Sequence, residues 1–191
     1  SSGATTLKAG RNIGVTNTGA VTASTTTTAT AGENINVAGA IGSQGNLQLA
    51  TTNGAITTTG SLASNGAITA DAGGANGDIA LGGTVTTPNV LTLTAARNAT
   101  VGGQLTTGNN LQASAGLDLV VSGTTQSVGA TTLSAAQDLT VAGTGSATAG
   151  TTLSATAGRN LAVSGGTASG GDTTLNATSG TLSTSGTVLA G

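Results

Sequence analysis

Chemical capacity in this chain is concentrated in seven Asn and Asp residues that recur at nearly even spacing: Asn12, Asn34, Asp78, Asn98, Asp118, Asp138 and Asn160. Ala55 and Thr181 hold the same slot in the two repeats that lack one. Such a row of oxygens has two uses. Asn and Asp bond neighbouring backbone and tolerate the left-handed region, often beside Gly, as with Gly10, Gly32, Gly77, Gly116 and Gly158 nearby, so the row reads as a turn column. Stacked carboxylates could instead collect a hard cation such as calcium, which needs several converging oxygens. Adjacent members alternate in type, and that favours the turn.

Two other patterns approach known chemistry. The stretch DAGGANGDIAL, Asp71 to Leu81, is close to a calcium-binding nonapeptide, but Asn76 stands where that grammar needs Gly and nothing like it recurs one turn away. An enlarged Gly-rich corner is the expectation. Asp71 and Asp78 are near enough in sequence to approach each other as glycosidase carboxylates do, yet no aromatic platform or basic partner accompanies them. Lys8 is the only lysine for a Ser–Lys dyad. With no His and no Cys, the usual general base, thiolate nucleophile and zinc or iron ligands are missing. The expectation is a non-enzyme with no cofactor and no metal, hence no catalytic residue.

Composition narrows what positions these residues. Among 191 residues are 33 Gly, 33 Ala and 41 Thr, against 36 Leu, Val and Ile and no aromatic, so an ordinary compact core cannot be filled. Only ten residues are charged, for a net charge of -2. Four of them, Lys8, Arg11, Arg97 and Arg159, are basic, too few for a nucleic-acid track. No apolar run approaches a membrane span, so membrane insertion is not expected.

Internal repetition supplies the architecture. The segments LTLTAARNATVGG (91–103), TTLSAAQDLTVAG (131–143) and TTLSATAGRNLAVSG (151–165) share one grammar, and extending it gives nine copies of about 21 residues. Immediately after the Asn/Asp slot comes a column of Ile13, Ile35, Ile56, Ile79, Ala99, Leu119, Leu139, Leu161 and Leu182. Two positions on stand Val15, Val37, Thr58, Leu81, Val101, Val121, Val141, Val163 and Thr184. That i, i+2 spacing is the period of a strand. A preceding strand is expected to point Leu7, Thr28, Leu47, Ile68, Leu91, Leu111, Leu133, Leu153 and Leu175 inward. A third, weaker one carries Val21, Ile41, Leu62, Val85, Leu105, Val128, Ala147, Ala168 and Val188. The expected fold is all-β: a right-handed parallel β-helix, or solenoid, of about nine coils with three short strands per coil, spanning residues 1–191 as one segment.

The repeated TTLxAxAGxNLxVxG grammar, with Arg-Asn or x-Asp before the second strand, resembles the haemagglutinin-type repeats of filamentous haemagglutinin and related large exoproteins of Gram-negative two-partner secretion. That group includes adhesins and contact-dependent inhibition effectors. The resemblance implies a rod exported through an outer-membrane secretion partner and displayed at the bacterial cell surface or released. Thr87-Pro88-Asn89-Val90 only partly matches the Asn-Pro-Asn secretion motif, and Arg-Gly-Asp is absent. An internal shaft is therefore expected, with further β-helical coils or caps at both ends, and no functional residue is carried over.

Two classes of function follow. One is a structural shaft that holds terminal domains away from the cell. The alternative is an adhesive module whose lateral face contacts host glycan or protein, with Arg97 and Arg159 as anchors. An ice-binding or polysaccharide-active β-helix is less favoured, because the outward row Gly14, Asn36, Thr57, Ala80, Thr100, Val120, Thr140, Ala162, Ser183 is not a continuous Thr row.

Overall fold

Short runs of β-branched and aliphatic residues alternating with small polar ones suit strands, and Gly, Asn or Asp recurs at most of the corners between them. In the computed structural model, which describes residues 2–191, every regular element is accordingly a strand. Each coil contains strands of five, three and four residues. In the first coil these are Thr5–Ala9, Ile13–Val15 and Ala20–Ala23, and in the ninth Thr173–Ala177, Leu182–Thr184 and Thr187–Ala190. Every strand pairs in parallel with its equivalents in adjacent coils, which builds three nine-stranded sheets around a narrow bore. Backbone N–H and C=O groups are thus satisfied along the rod by repetition alone, without bulky side chains.

The second sheet matches the expected columns in register throughout, from Ile13↔Ile35 to Leu161↔Leu182 and from Val15↔Val37 to Val163↔Thr184. Ile35, Ile56, Ile79, Leu119, Leu139 and Leu161 are fully buried. Ile13 is partly covered, and Leu182, which has a coil on one side only, is 49% exposed.

In the first sheet the expected single column is two. Thr5, Thr27, Leu47, Ile68, Leu91, Leu111, Thr131, Leu153 and Thr173 form one, and Thr28 faces outward in register with Thr6 and Gln48. Two residues on, Leu7, Ala29, Leu49, Ala70, Leu93, Ala113, Leu133, Ala155 and Leu175 alternate large and small without exception. Strands lie about 4.8 Å apart, so a Leu flanked by Ala on both sides can lean into the volume its neighbours leave. Volume is also traded within a coil: Leu133 shares its coil with Thr131 and Ala147, whereas Ala113 shares its coil with Leu111.

The third sheet corrects two further expectations. Val128 lies in a turn and is 67% exposed, and Thr125 takes the inward slot. Ala168 faces outward beside inward Thr167. Three buried hydroxyls, on Thr27, Thr58 and Thr167, have no hydrogen-bond partner.

Candidate functional site

The Asn/Asp column stands at the corner that leads into the second sheet, and it joins each coil to the next. The Oδ1 atom of each member accepts the backbone N–H of the same position one coil on: Asn12 from Asn34 at 3.0 Å, Asn34 from Ala55 at 2.9 Å, Asp78 from Asn98 at 3.0 Å, Asn98 from Asp118 at 3.4 Å. The series continues with Asp118 accepting from Asp138, Asp138 from Asn160 and Asn160 from Thr181, each at 3.1 Å. Carboxylate and amide oxygens serve equally as acceptors, which explains why either residue type can fill the column. Asn34, Asn98 and Asn160 also donate Nδ2–H to the same oxygen below.

This replaces the expected turn chemistry. The bonds run between coils rather than within a turn, and no non-glycine residue has positive φ among the described residues. The ladder breaks once, at Ala55. There the N–H of Asp78 turns to the carbonyl of Asn76 inside its own enlarged corner, where Gly74 adopts φ 76° and Gly77 donates to the Gly74 carbonyl. The Asp71–Leu81 stretch is thus a widened corner. Asp71 faces outward from the first sheet between Ala50 and Thr94, whereas the Oδ1 of Asp78 is engaged by Asn98 and Arg97. The two carboxylates lie on different faces. Column oxygens point along the rod at amides and do not converge on a point, and no cluster of three acidic, His or Cys groups able to hold a metal occurs among the described residues.

All three arginines are paired at this corner. Arg11 reaches Glu33 at 3.0 Å, Arg97 lies 3.6 Å from Asp78, and Arg159 grips Asp138 with both Nε at 3.0 Å and Nη2 at 2.6 Å. The Arg159 hydrogen bonds lower the Asp138 pKa to about 2, assisted by donation from the Asn160 backbone and side chain, while Asp138 raises the pKa of Arg159. The candidate adhesive anchors Arg97 and Arg159 are therefore engaged within the rod.

Two further ladders were not visible in the sequence. Where the third sheet turns into the first, Ser43, Ser64, Thr87, Thr107, Ser127 and Ser169 point inward and donate to turn carbonyls, such as Ser43 to Thr25 at 2.7 Å and Ser64 to Gly45 at 2.6 Å. With 41 Thr in the chain, a Ser/Thr column has no contrast against its background. Where the second sheet turns into the third, Gly19, Gly39, Gly60, Gly83, Gly103, Gly123, Gly145, Gly165 and Gly186 form a seam. At seven of these a Cβ would overlap the carbonyl oxygen of the preceding glycine, so close approach, not a special φ, demands the residue.

That seam floors a shallow, wide-open groove across the first four coils. One wall is the Thr16–Gly19 turn, closed by the Gly19 N–H to the Thr16 carbonyl at 2.8 Å and two residues longer than the Ala38–Gly39 turn beside it. Asn17, Thr18, Thr59, Ser61 and Thr84 rim the groove, and their side chains make no hydrogen bond within the described residues. The rim contains no charged residue. No protein-family model, curated protein or solved structure matches the chain.

Proposed function

We propose that this chain is a length-setting shaft of a bacterial exoprotein filament, secreted or displayed at the cell surface, that holds terminal domains away from the cell. Three uninterrupted parallel ladders from the first coil to the ninth carry this reading, because each coil adds the same rise and little else. The resemblance to haemagglutinin-type repeats supports export through an outer-membrane partner and continuation into neighbouring coils or caps. Engagement of Arg97 and Arg159 with Asp78 and Asp138 counts against an arginine-anchored adhesive face.

Small-angle scattering tests the proposal. Nine coils should give a rod on the order of 43 Å long, and inserting two coils should lengthen it by roughly 10 Å at unchanged cross-section. Swelling of the cross-section with no gain in length would reject a length-setting role.

A further inference from the structure

We propose that Asn53 is a site of spontaneous deamidation selected by the fold, where a neutral carboxamide becomes a carboxylate. Asn followed by Gly is the dipeptide in which the next backbone nitrogen most easily reaches the side-chain carbonyl carbon, because Gly has no Cβ to hinder the approach. The chain has three such pairs, Asn53-Gly54, Asn65-Gly66 and Asn76-Gly77. The first two open the same pentapeptide, Asn-Gly-Ala-Ile-Thr, so their intrinsic reactivity is matched and only the surrounding structure separates them. Asn53 and Asn65 are both exposed, so water reaches each.

At Asn65 both reacting groups are tied down. The Gly66 N–H donates to Ser64 Oγ at 3.1 Å and to the Gly45 carbonyl at 3.3 Å, and Asn65 Nδ2 donates to Gln44 Oε1 at 2.5 Å. In the third pair the Gly77 N–H is held by the Gly74 carbonyl at 3.1 Å. At Asn53 the nucleophile is free, since the Gly54 N–H has no hydrogen-bond partner among the described residues. The carbonyl it attacks is engaged in the helpful sense: Asn53 Oδ1 accepts the Asn76 N–H at 3.3 Å, which polarises Cγ and stabilises the oxyanion that forms there. The corner also demands the glycine, because a Cβ at Gly54 would overlap the Glu33 carbonyl of the preceding coil. A bulkier residue that would slow the reaction is thereby excluded at 54. In the reaction Gly54 N gives its proton to a solvent base and bonds to Asn53 Cγ, while the Cγ–Nδ2 bond breaks and Nδ2 takes up a proton to leave as ammonia. Water then opens the five-membered imide. Breaking its N–Cγ bond leaves aspartate, and breaking the bond from N to the main-chain carbonyl carbon leaves isoaspartate, with the chain rerouted through Cγ. Either product adds one negative charge beside Ala55, where the Asn/Asp ladder is interrupted.

The test is a time course of the chain at mildly alkaline pH, folded and unfolded in guanidinium, with the conversion of amide to acid at each Asn-Gly pair read by peptide mass spectrometry. Hydroxylamine, which cleaves the imide, should cut the folded chain first between Asn53 and Gly54. Asn53 should react about three to ten times faster than Asn65 in the folded chain, the factor set by the hydrogen bonds that Asn65-Gly66 must first break. In the unfolded chain the two should react at the same rate. Gln44→Ala combined with Ser64→Ala, folded by circular dichroism, should speed Asn65 by about threefold and leave Asn53 unchanged. Equal rates in the folded chain, faster reaction at Asn65, a preference for Asn53 that survives unfolding, or an unmoved Asn65 rate in the folded double variant each overturns the proposal. None of these results bears on rod length, so the shaft reading stands or falls separately.

Discussion

Asp138 shows how one side chain serves two roles that can be taken apart. Its Oδ1 accepts the Asn160 N–H, which a carboxamide would also do, and its two oxygens bind Arg159, which only a carboxylate does well. Asp138→Asn should therefore stay close to the parent in urea unfolding at pH 7, since exposed ion pairs contribute little, whereas Asp138→Ala should unfold at clearly lower urea. Its folded pKa of about 2 lies below the usual carboxylate value near 3.9, so the stabilisation from ionised Asp138 is complete above roughly pH 4. It is lost as pH falls through about 2, so the small difference expected between parent and Asp138→Asn at pH 7 should vanish across that window. Thr58 is the opposite case. Its hydroxyl is fully buried and unpartnered between Val37 and Leu81, so Thr58→Val should raise stability by about 1 kcal/mol, read as a higher urea midpoint at constant m. Loss of stability would mean the hydroxyl has a partner, such as a buried water.

At the scale of turns and strands, neighbouring glycines differ in what they tolerate. Around Gly102 the nearest atoms are 3.7 Å from a new Cβ, whereas at Gly103 the Cβ would overlap the Gly83 carbonyl. Gly102→Ala should be near neutral and Gly103→Ala should cost about 3 kcal/mol or more, measured by thermal melting. The Leu/Ala alternation makes a pair of coils the packing unit. Removing residues 111–130 sets Leu93 against Leu133, while removing 91–130 sets Ala70 against Leu133 and keeps the alternation. The shorter chain should melt higher, by about 1–3 kcal/mol of relieved overpacking. The reverse order would show that the alternation has no packing role. This alternation also explains what was legible. The second-sheet column is clear in sequence because each member directly follows an Asn/Asp slot. The first-sheet column is not, because Leu7, Leu133 and Leu175 occupy one inward position while Leu47, Leu91 and Leu153 occupy another. Thr125 and Thr167 were missed because Thr serves both faces of a strand, and an exposed Val128 looked like core. The glycine groove was illegible for a different reason: it depends on one turn standing proud of its neighbours, which only stacking reveals.

Over the whole molecule, the backbone ladders, the Asn/Asp ladder and the three ion pairs all join one coil to the next, so cohesion acts along a single direction. Lateral surface contributes little to it. The first-sheet face carries Thr6, Thr28, Gln48, Thr69, Thr92, Gln112, Thr132, Ser154 and Thr174 outward, a polar column without charge that leaves the rod's side open to solvent. This axial arrangement has a mechanical meaning. Tension applied between the two ends pulls directly against the inter-coil hydrogen bonds, and the strands of one coil share that load. An end coil has a neighbour on one side only, so it is the first to peel, and the coil beneath it then becomes the end. Each release lets out about 21 residues, roughly 70 Å of extended chain, in exchange for about 4.8 Å of lost rod. Under pull the shaft would act as a spooled tether that lengthens in steps and limits the force reaching whatever it carries.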